Sequence, residues 1–144
     1  MTIKCGVVRL SADAVIPEYS REGDACFDIT ATDCDYLADG TWLCHTGLAF
    51  NIPDGYYMEI YSRSGHGFKH NVRLANCVGI IDQNYKGELM VKLTYDDPDS
   101  EYIPMPGHRI AQGILKPVTR VEFTEDTNLS DSNRGSDGFG SSGH

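Results

Sequence analysis

A chain of 144 residues with a net charge of −9 and a pI near 4.8 fits a single domain with one moderate core. Its acidity excludes the broad basic surface of a general nucleic-acid binder, yet a few placed arginines can still build a local pocket for a small anion. The five cysteines, Cys5, Cys26, Cys34, Cys44 and Cys77, are odd in number and lack C-x-x-C spacing, which excludes a disulfide framework or a zinc ribbon.

Hydrophobic periodicity is mostly two. Strands are predicted over Ile3 to Leu10, Thr41 to Phe50, and Tyr56 to Tyr61, where Met58 and Ile60 oppose Glu59. A single helical turn is predicted around Leu74 to Cys77. The segment Val78 to Val91 reads as two strands joined by a short polar turn, with Asp82 ending the first strand and Tyr85 at the turn. Its second strand continues to Tyr95, with Leu89, Val91, Leu93 and Tyr95 on one face and Met90, Lys92 and Thr94 on the other. Arg109 to Leu115 and Thr119 to Phe123 complete the set. Pro17, Asp39-Gly40, Pro53 to Gly55, Asp97-Pro98 and Pro104 to Gly107 punctuate it. Many short strands between regular turns imply an all-β sandwich or barrel over residues 1–123.

Residues 124–144 are rich in Ser, Gly, Asp and Asn and are predicted to be a mobile arm. The stretch Arg134 to Gly143 pairs phosphate-directed donors and turning glycines with one aromatic. By itself it reads equally as a flexible linker. His66 and His70 are four apart in a Gly-containing segment taken as loop, and the histidines form no H-E-x-x-H pair. No apolar run follows a basic start, and none is of membrane length. A cytoplasmic or nuclear location, or the host cytosol for a viral chain, is therefore expected, with no membrane partner.

Five segments then stand in order: Asp24 to Ala31; Ser62-Arg63-Ser64-Gly65-His66-Gly67-Phe68-Lys69-His70; Gly79 to Val91; Gly107-His108-Arg109-Ile110-Ala111-Gln112; and Arg134 to Gly143. Together, in order and spacing, they resemble the motifs of the homotrimeric dUTPases across nearly the whole chain. The resemblance implies a jelly-roll β fold assembled as a trimer, with active sites at subunit interfaces, each closed by an arm from a neighbouring chain. It implies hydrolysis of dUTP to dUMP and pyrophosphate with Mg²⁺. That reaction keeps uracil out of DNA and supplies dUMP for thymidylate synthesis.

The resemblance also implies roles. Asp82 is the general base for the water that attacks the α-phosphorus, an effect worth about 10²–10⁴-fold; its structural alternative is a turn cap. Tyr85 packs on the deoxyribose and leaves no room for a 2′-hydroxyl. Asn76, with donor and acceptor, and the backbone from Gly79 read the uracil edge, and Met90 joins the substrate-binding set. Arg63, Ser64 and Gly65 form the phosphate loop, and Gln112 is a further phosphate-side donor. Arg134 clamps the γ-phosphate, Phe139 stacks over uracil, and Gly140 and Ser141 complete the arm. Asp28 is either an outer-shell Mg²⁺ contact through water or a structural bond to loop amides.

The chain departs from the family pattern at Cys26 (usually glycine), Ser62 (proline), His66 (leucine), Asn84 (often an acid) and His108 (aspartate). Cys26 puts the local backbone in doubt, and His108 removes an expected partner of Arg109. A binding or regulatory protein on the same fold, with hydrolysis secondary or absent, is the alternative. Asp82, Tyr85, Arg134 and Phe139 all being present argues for the enzyme. dCTP deaminase shares the fold, but its catalytic-glutamate motif finds no match. A structural jelly roll explains the strands and not the five motifs.

Overall fold

The structure, a computed structural model, describes residues 2–143; Met1 and His144, the outer limits of the two expected segments, lie outside the described residues. In chain order the elements are β1 (Gly6–Arg9), β2 (Phe27–Thr30), β3 (Asp33–Tyr36), β4 (Trp42–His45), β5 (Leu48–Asn51), β6 (Tyr56–Tyr61), α1 (Ser64–His70), β7 (Val72–Leu74), β8 (Val78–Ile81), β9 (Met90–Tyr95) and β10 (Arg109–Pro117). All pairings are antiparallel. They make a two-stranded sheet, β1-β5, and two four-stranded sheets ordered β2-β10-β6-β8 and β3-β4-β9-β7. None of the helices is long and apolar enough to cross a membrane, among the described residues.

One core joins the sheets. Ile29, Met58, Ile60 and Ile110 from one four-stranded sheet meet Cys44, Val72, Leu74 and Leu93 from the other, all nearly solvent-free. The alternation expected in β9 holds: Leu89, Val91 and Leu93 are buried while Met90 is exposed. Fully burying each such side chain contributes about 1.5–3 kcal/mol.

Five expectations need correction, four of them about strands and turns. Val78 to Val91 is not a paired hairpin: β8 pairs with β6 and β9 pairs with β4 and β7, so the segment arches between sheets. Alternation marks a half-buried strand but does not name its neighbour. The Thr41 to Phe50 strand breaks at Thr46-Gly47, where Gly47 is left-handed (φ 64°) and an added Cβ would overlap Ser11; β4 and β5 thus enter different sheets. Leu74 to Cys77 is a turn rather than a helix, with Cys77 at φ 65° and its N–H donating to Leu74 O at 3.1 Å. Thr119 to Phe123 forms no strand: β10 ends at Pro117 opposite Tyr56, Val118 N–H bonds Gly55 O at 2.8 Å, and the chain then leaves the sheet. β2, β3 and β7 were not predicted; β3 reads Asp-Cys-Asp-Tyr, and β7 is only three residues long.

The second motif, taken as loop, is the helix α1. Gly65 and Gly67 each weaken it by roughly 1 kcal/mol relative to alanine. Buried His66 anchors it, Lys69 and His70 complement its C-terminal end, and Asn71 at φ 53° closes it.

β4, β5 and the start of β9 are tied by one carboxylate. Glu88 Oε1 meets His45 Nδ1 at 3.1 Å and Glu88 Oε2 accepts the Gly47 N–H at 2.8 Å; His45 Nε2 meets Asp35 Oδ2 at 3.1 Å. The Glu88 bond, against burial and with help from Asp35, raises His45 above its usual value. Burial pushes Glu88 up, but the bonds from His45 and Gly47 outweigh it and the net shift is down. A raised histidine stabilises fully below its unfolded value near 6.5 and loses this as pH climbs through the folded value. A lowered carboxylate stabilises above 4.5 and loses this as pH falls through its folded value. Relative to His45→Gln, the wild-type chain should therefore be most favoured between about pH 4.5 and 6.5, with the difference shrinking on both sides in urea titrations across pH.

Candidate active site

The arch from β8 to β9 builds the first part of the site. Asp82 immediately follows β8 and is exposed. Its carbonyl accepts the Tyr85 N–H at 3.1 Å, closing a tight turn that leaves the carboxylate facing out. Tyr85 lies back across the arch, its hydroxyl donating to Glu88 O at 2.7 Å. Gly87 permits this: a Cβ there would come within 2.6 Å of the Tyr85 hydroxyl and 2.8 Å of the ring. The opening between β8 and β9 is a pocket of about 330 Å³, bordered by Asn76, Gly79, Ile80, Leu89 and Met90. Gly79 sits 3.2 Å (from its would-be Cβ) off Ile60 Cβ, with the Asn76 side-chain nitrogen nearby at 3.8 Å. The missing side chain therefore lets backbone edges and the Asn76 amide line one wall. Such a wall offers alternating donors and acceptors to a small planar ring.

The second part lies at the start of α1. Arg63 is the N-cap and Ser64 and Gly65 are the first helical residues, so their amides lack intrahelical partners. Arg63 Nη1 donates to Arg109 O at 3.0 Å. Gln112 Nε2 donates to Ser62 O at 3.0 Å, leaving its remaining N–H and its carbonyl available. Ser62, Arg63, Ser64, Phe68 and Gln112 border an open groove of about 420 Å³. Ser62, where the family pattern has proline, accepts the Leu74 N–H on Oγ at 2.9 Å, which pins the loop to β7.

Asp28 faces Gln112 across the β2-β10 ladder. Its Oδ2 accepts from Ser20 Oγ at 2.5 Å and lies 3.5 Å from Arg109 Nη1, so Arg109 has a carboxylate partner even with His108 beside it. Both contacts fall on Oδ2, which leaves Oδ1 for a water. Among the described residues no three His, Cys, Asp or Glu side chains gather as a metal cage. A free carboxylate oxygen of this kind suits a Mg²⁺ ion that takes its inner ligands from a polyphosphate and keeps waters of its own. Cys26 is not left-handed, so its replacement of glycine leaves the backbone ordinary.

Arg134, Phe139, Gly140 and Ser141 form a third group. No helix or strand is described beyond Pro117. The hydrogen bonds of residues 124–143 are with one another, among them Arg134 Nε to Asp137 O at 2.6 Å, and Phe139 is fully exposed. The expected site residues thus fall into three groups: the arch, the start of α1 with Gln112 and Asp28, and the arm. The arch pocket and the α1 groove share no lining residue. Sequence reasoning missed Gly87 and Ser62 as positioning residues; the only available signal for Gly87 was its place in the turn after Tyr85.

A family model described as dUTPase matches residues 12–143. The chain belongs to the dUTPase family. A deoxyuridine 5′-triphosphate nucleotidohydrolase of Thermobifida fusca is 38% identical over 143 residues, covering 99% of this chain and 80% of that protein. The Nautilia profundicola nucleotidohydrolase is 38% identical over 142 residues, covering 98% and 99%. Among solved structures, the Staphylococcus bacteriophage 80alpha dUTPase with dUPNHPP superposes with a TM-score of 0.84 at 29% identity, covering 99% of this chain and 100% of that one. The all-β, jelly-roll expectation agrees with this likeness to dUTPase structures.

If Gly87 exists to admit the Tyr85 ring, Gly87→Ala should expel it. A crystal structure of the variant is expected to show the Tyr85 hydroxyl detached from Glu88 O, with a loss of about 1 kcal/mol in stability.

Proposed function

We propose that this chain is a dUTP diphosphatase, hydrolysing dUTP to dUMP and pyrophosphate, and that its working form is a homotrimer. Family membership supports the reaction. The observation that carries it here is the arch: a pocket of about 330 Å³ walled by Asn76 and the Gly79 backbone, with Asp82 exposed at the adjoining turn. That volume lies at the small end of the roughly 300–1,000 Å³ range of small-molecule sites, in keeping with a single base.

In this reading Asn76 and the β8 backbone pair with the uracil edge. Cytosine exchanges donor and acceptor and leaves buried groups unpaired. The walls, Met90 among them, reject a 5-methyl by volume, and Tyr85 occupies the space a 2′-hydroxyl would need. Arg63, the Ser64 and Gly65 amides and Gln112 hold the phosphates. Asp82 takes a proton from water as its oxygen bonds to the α-phosphorus, and the bond to the bridging oxygen breaks, releasing pyrophosphate. Mg²⁺ bound to the triphosphate would neutralise charge there, with Asp28 Oδ1 touching it through water.

The three separate groups support a trimer. An arch from one chain, the α1 groove of a second and the arm of a third would complete one site. Phe68 at the groove is 91% exposed and Phe139 on the arm is fully exposed, apolar surface that association or ligand stacking would cover. Ordering the arm costs entropy, which Arg134 on the γ-phosphate, Phe139 on the base and the Gly140-Ser141 amides would offset. Closure would then follow ligand binding and expel water.

Pyrophosphate release from dUTP, run beside dCTP, dTTP and UTP, tests the reaction. Cleavage is expected for dUTP alone. Asp82→Asn should lower kcat by about 10²–10⁴-fold while a non-hydrolysable dUTP analogue binds nearly as before; a variant with unchanged kcat removes Asp82 from the chemistry. Deleting residues 124–144 should abolish most turnover yet leave the thermal transition nearly in place. Normal kinetics in that truncation would sink the arm assignment.

A further inference from the structure

Behind the α1 groove lies a cluster that the hydrolysis above does not use. The Tyr102 ring packs against His66 and His70, with centroids 4.7 and 4.9 Å away, and His108 stands at 6.2 Å. Beside them, on the other side of α1 from the groove, opens a pocket of about 440 Å³ bordered by His66, Lys69, His70, His108 and Arg109, with Arg63 and Gly65 of the phosphate loop at its edge. No carboxylate borders it, in a chain whose net charge is −9. His66 is only 8% exposed, and its Nδ1 is buried without a hydrogen-bond partner. A buried ring nitrogen left unpaired is destabilising, so this one is placed to take a hydrogen-bond partner. His108 Nδ1 accepts the Met105 N–H at 3.2 Å, which makes Nε2 its donor nitrogen.

We propose that this pocket binds a multivalent phosphate-class oxyanion, with inorganic pyrophosphate as the test ligand, at a site separate from the groove at Ser64. Arg63, Lys69 and Arg109 bring fixed positive charge to one opening, and the rings of His66, His70 and His108 add nitrogen donors beside it. Burial first, then Arg63, His70 and His108, hold His66 down to about 4. A compact dianion or trianion would offset that positive charge and accept from Lys69, Arg109 and the histidine rings at once. Arg63 borders both openings; one guanidinium nitrogen is committed to Arg109 O and the others are free to serve either side. The proposal does not rest on the hydrolysis of dUTP.

Side-chain ¹⁵N NMR of the histidine rings in the full chain reads it directly. Sodium pyrophosphate, titrated at neutral pH and constant ionic strength, should move His66, His70 and His108 saturably and leave His45 still. His108→Asp, whose carboxylate can take the same Met105 amide, should weaken that response by at least about tenfold. Shifts confined to the Ser64 amide and the Gln112 side chain would overturn the assignment, as would equal affinity in His108→Asp. If the three rings ignore pyrophosphate but move when residues 124–144 are deleted, tail carboxylates fill the pocket and the assignment also fails. A chain that cleaves dUTP and shows silent histidines would lose this inference alone.

Discussion

Everything placed on the arch depends on how residues 88 and 89 are fastened to residues 45–48. Glu88 grips His45 and the Gly47 amide; the Leu89 N–H donates to Leu48 O at 2.8 Å, and Thr46 Oγ1 donates to Leu89 O at 2.6 Å. β8 and β9 lie in different sheets, so no ladder between them holds the turn. Charge-assisted bonds of this kind contribute about 1.5–3 kcal/mol each and neutral ones about 0.5–1.5. They convert eight residues of connection into a frame on which Asp82 and Tyr85 have fixed positions. Tyr85 closes the frame by bonding back to Glu88. Stability and chemistry therefore share one residue, since Glu88 anchors the strand and receives the tyrosine.

A displaced carboxylate does not pick out the proposed base in this chain. Glu59 is held down to about 2 by hydrogen bonds from Tyr57 and Tyr61 and by Lys116. Its oxygens are thereby occupied, and it lies mid-sheet, in β6 between β10 and β8. Three donors fix it on a sheet face, Tyr57 on Oε1 and Tyr61 and Lys116 on Oε2. Asp82 differs by position: it stands at the end of a strand, on a turn, beside a pocket. Geometry precedes pKa in choosing a general base.

The legibility of the sequence followed the range of the interactions. β6 and the β9 face were legible because alternation is set by each strand's own side chains against one core. The arch was read as a hairpin because pairing depends on β4, β6 and β7, which are distant in sequence. α1 was read as loop because Gly65 and Gly67 lower helix propensity, while His66, which anchors the helix, is buried only by the fold. β3 was hidden because its acidic residues satisfy turn and ion-pair roles at a sheet edge. The site residues were named through motif order, and that naming carried no information about Gly87 or Ser62, whose roles arise from a close approach and a backbone bond.

The departures from the family pattern turn out to be local rearrangements of charge. With His108 beside it, Arg109 reaches Asp28 and Ser20, and His108 turns its Nδ1 to the Met105 amide and stands near Tyr102. Arg109 and Ser20 both use Asp28 Oδ2, so neither occupies Oδ1. His108, where the family pattern has aspartate, removes a carboxylate from the neighbourhood of α1. His66 in place of leucine then adds a buried imidazole where the family packs a hydrocarbon. His66 and His108 both border the opening behind the phosphate loop. In a chain of net charge −9, that opening is bordered by no carboxylate, and the acid that reaches Arg109 there, Asp28, is already paired with it, so the opening is where an anion meets least repulsion.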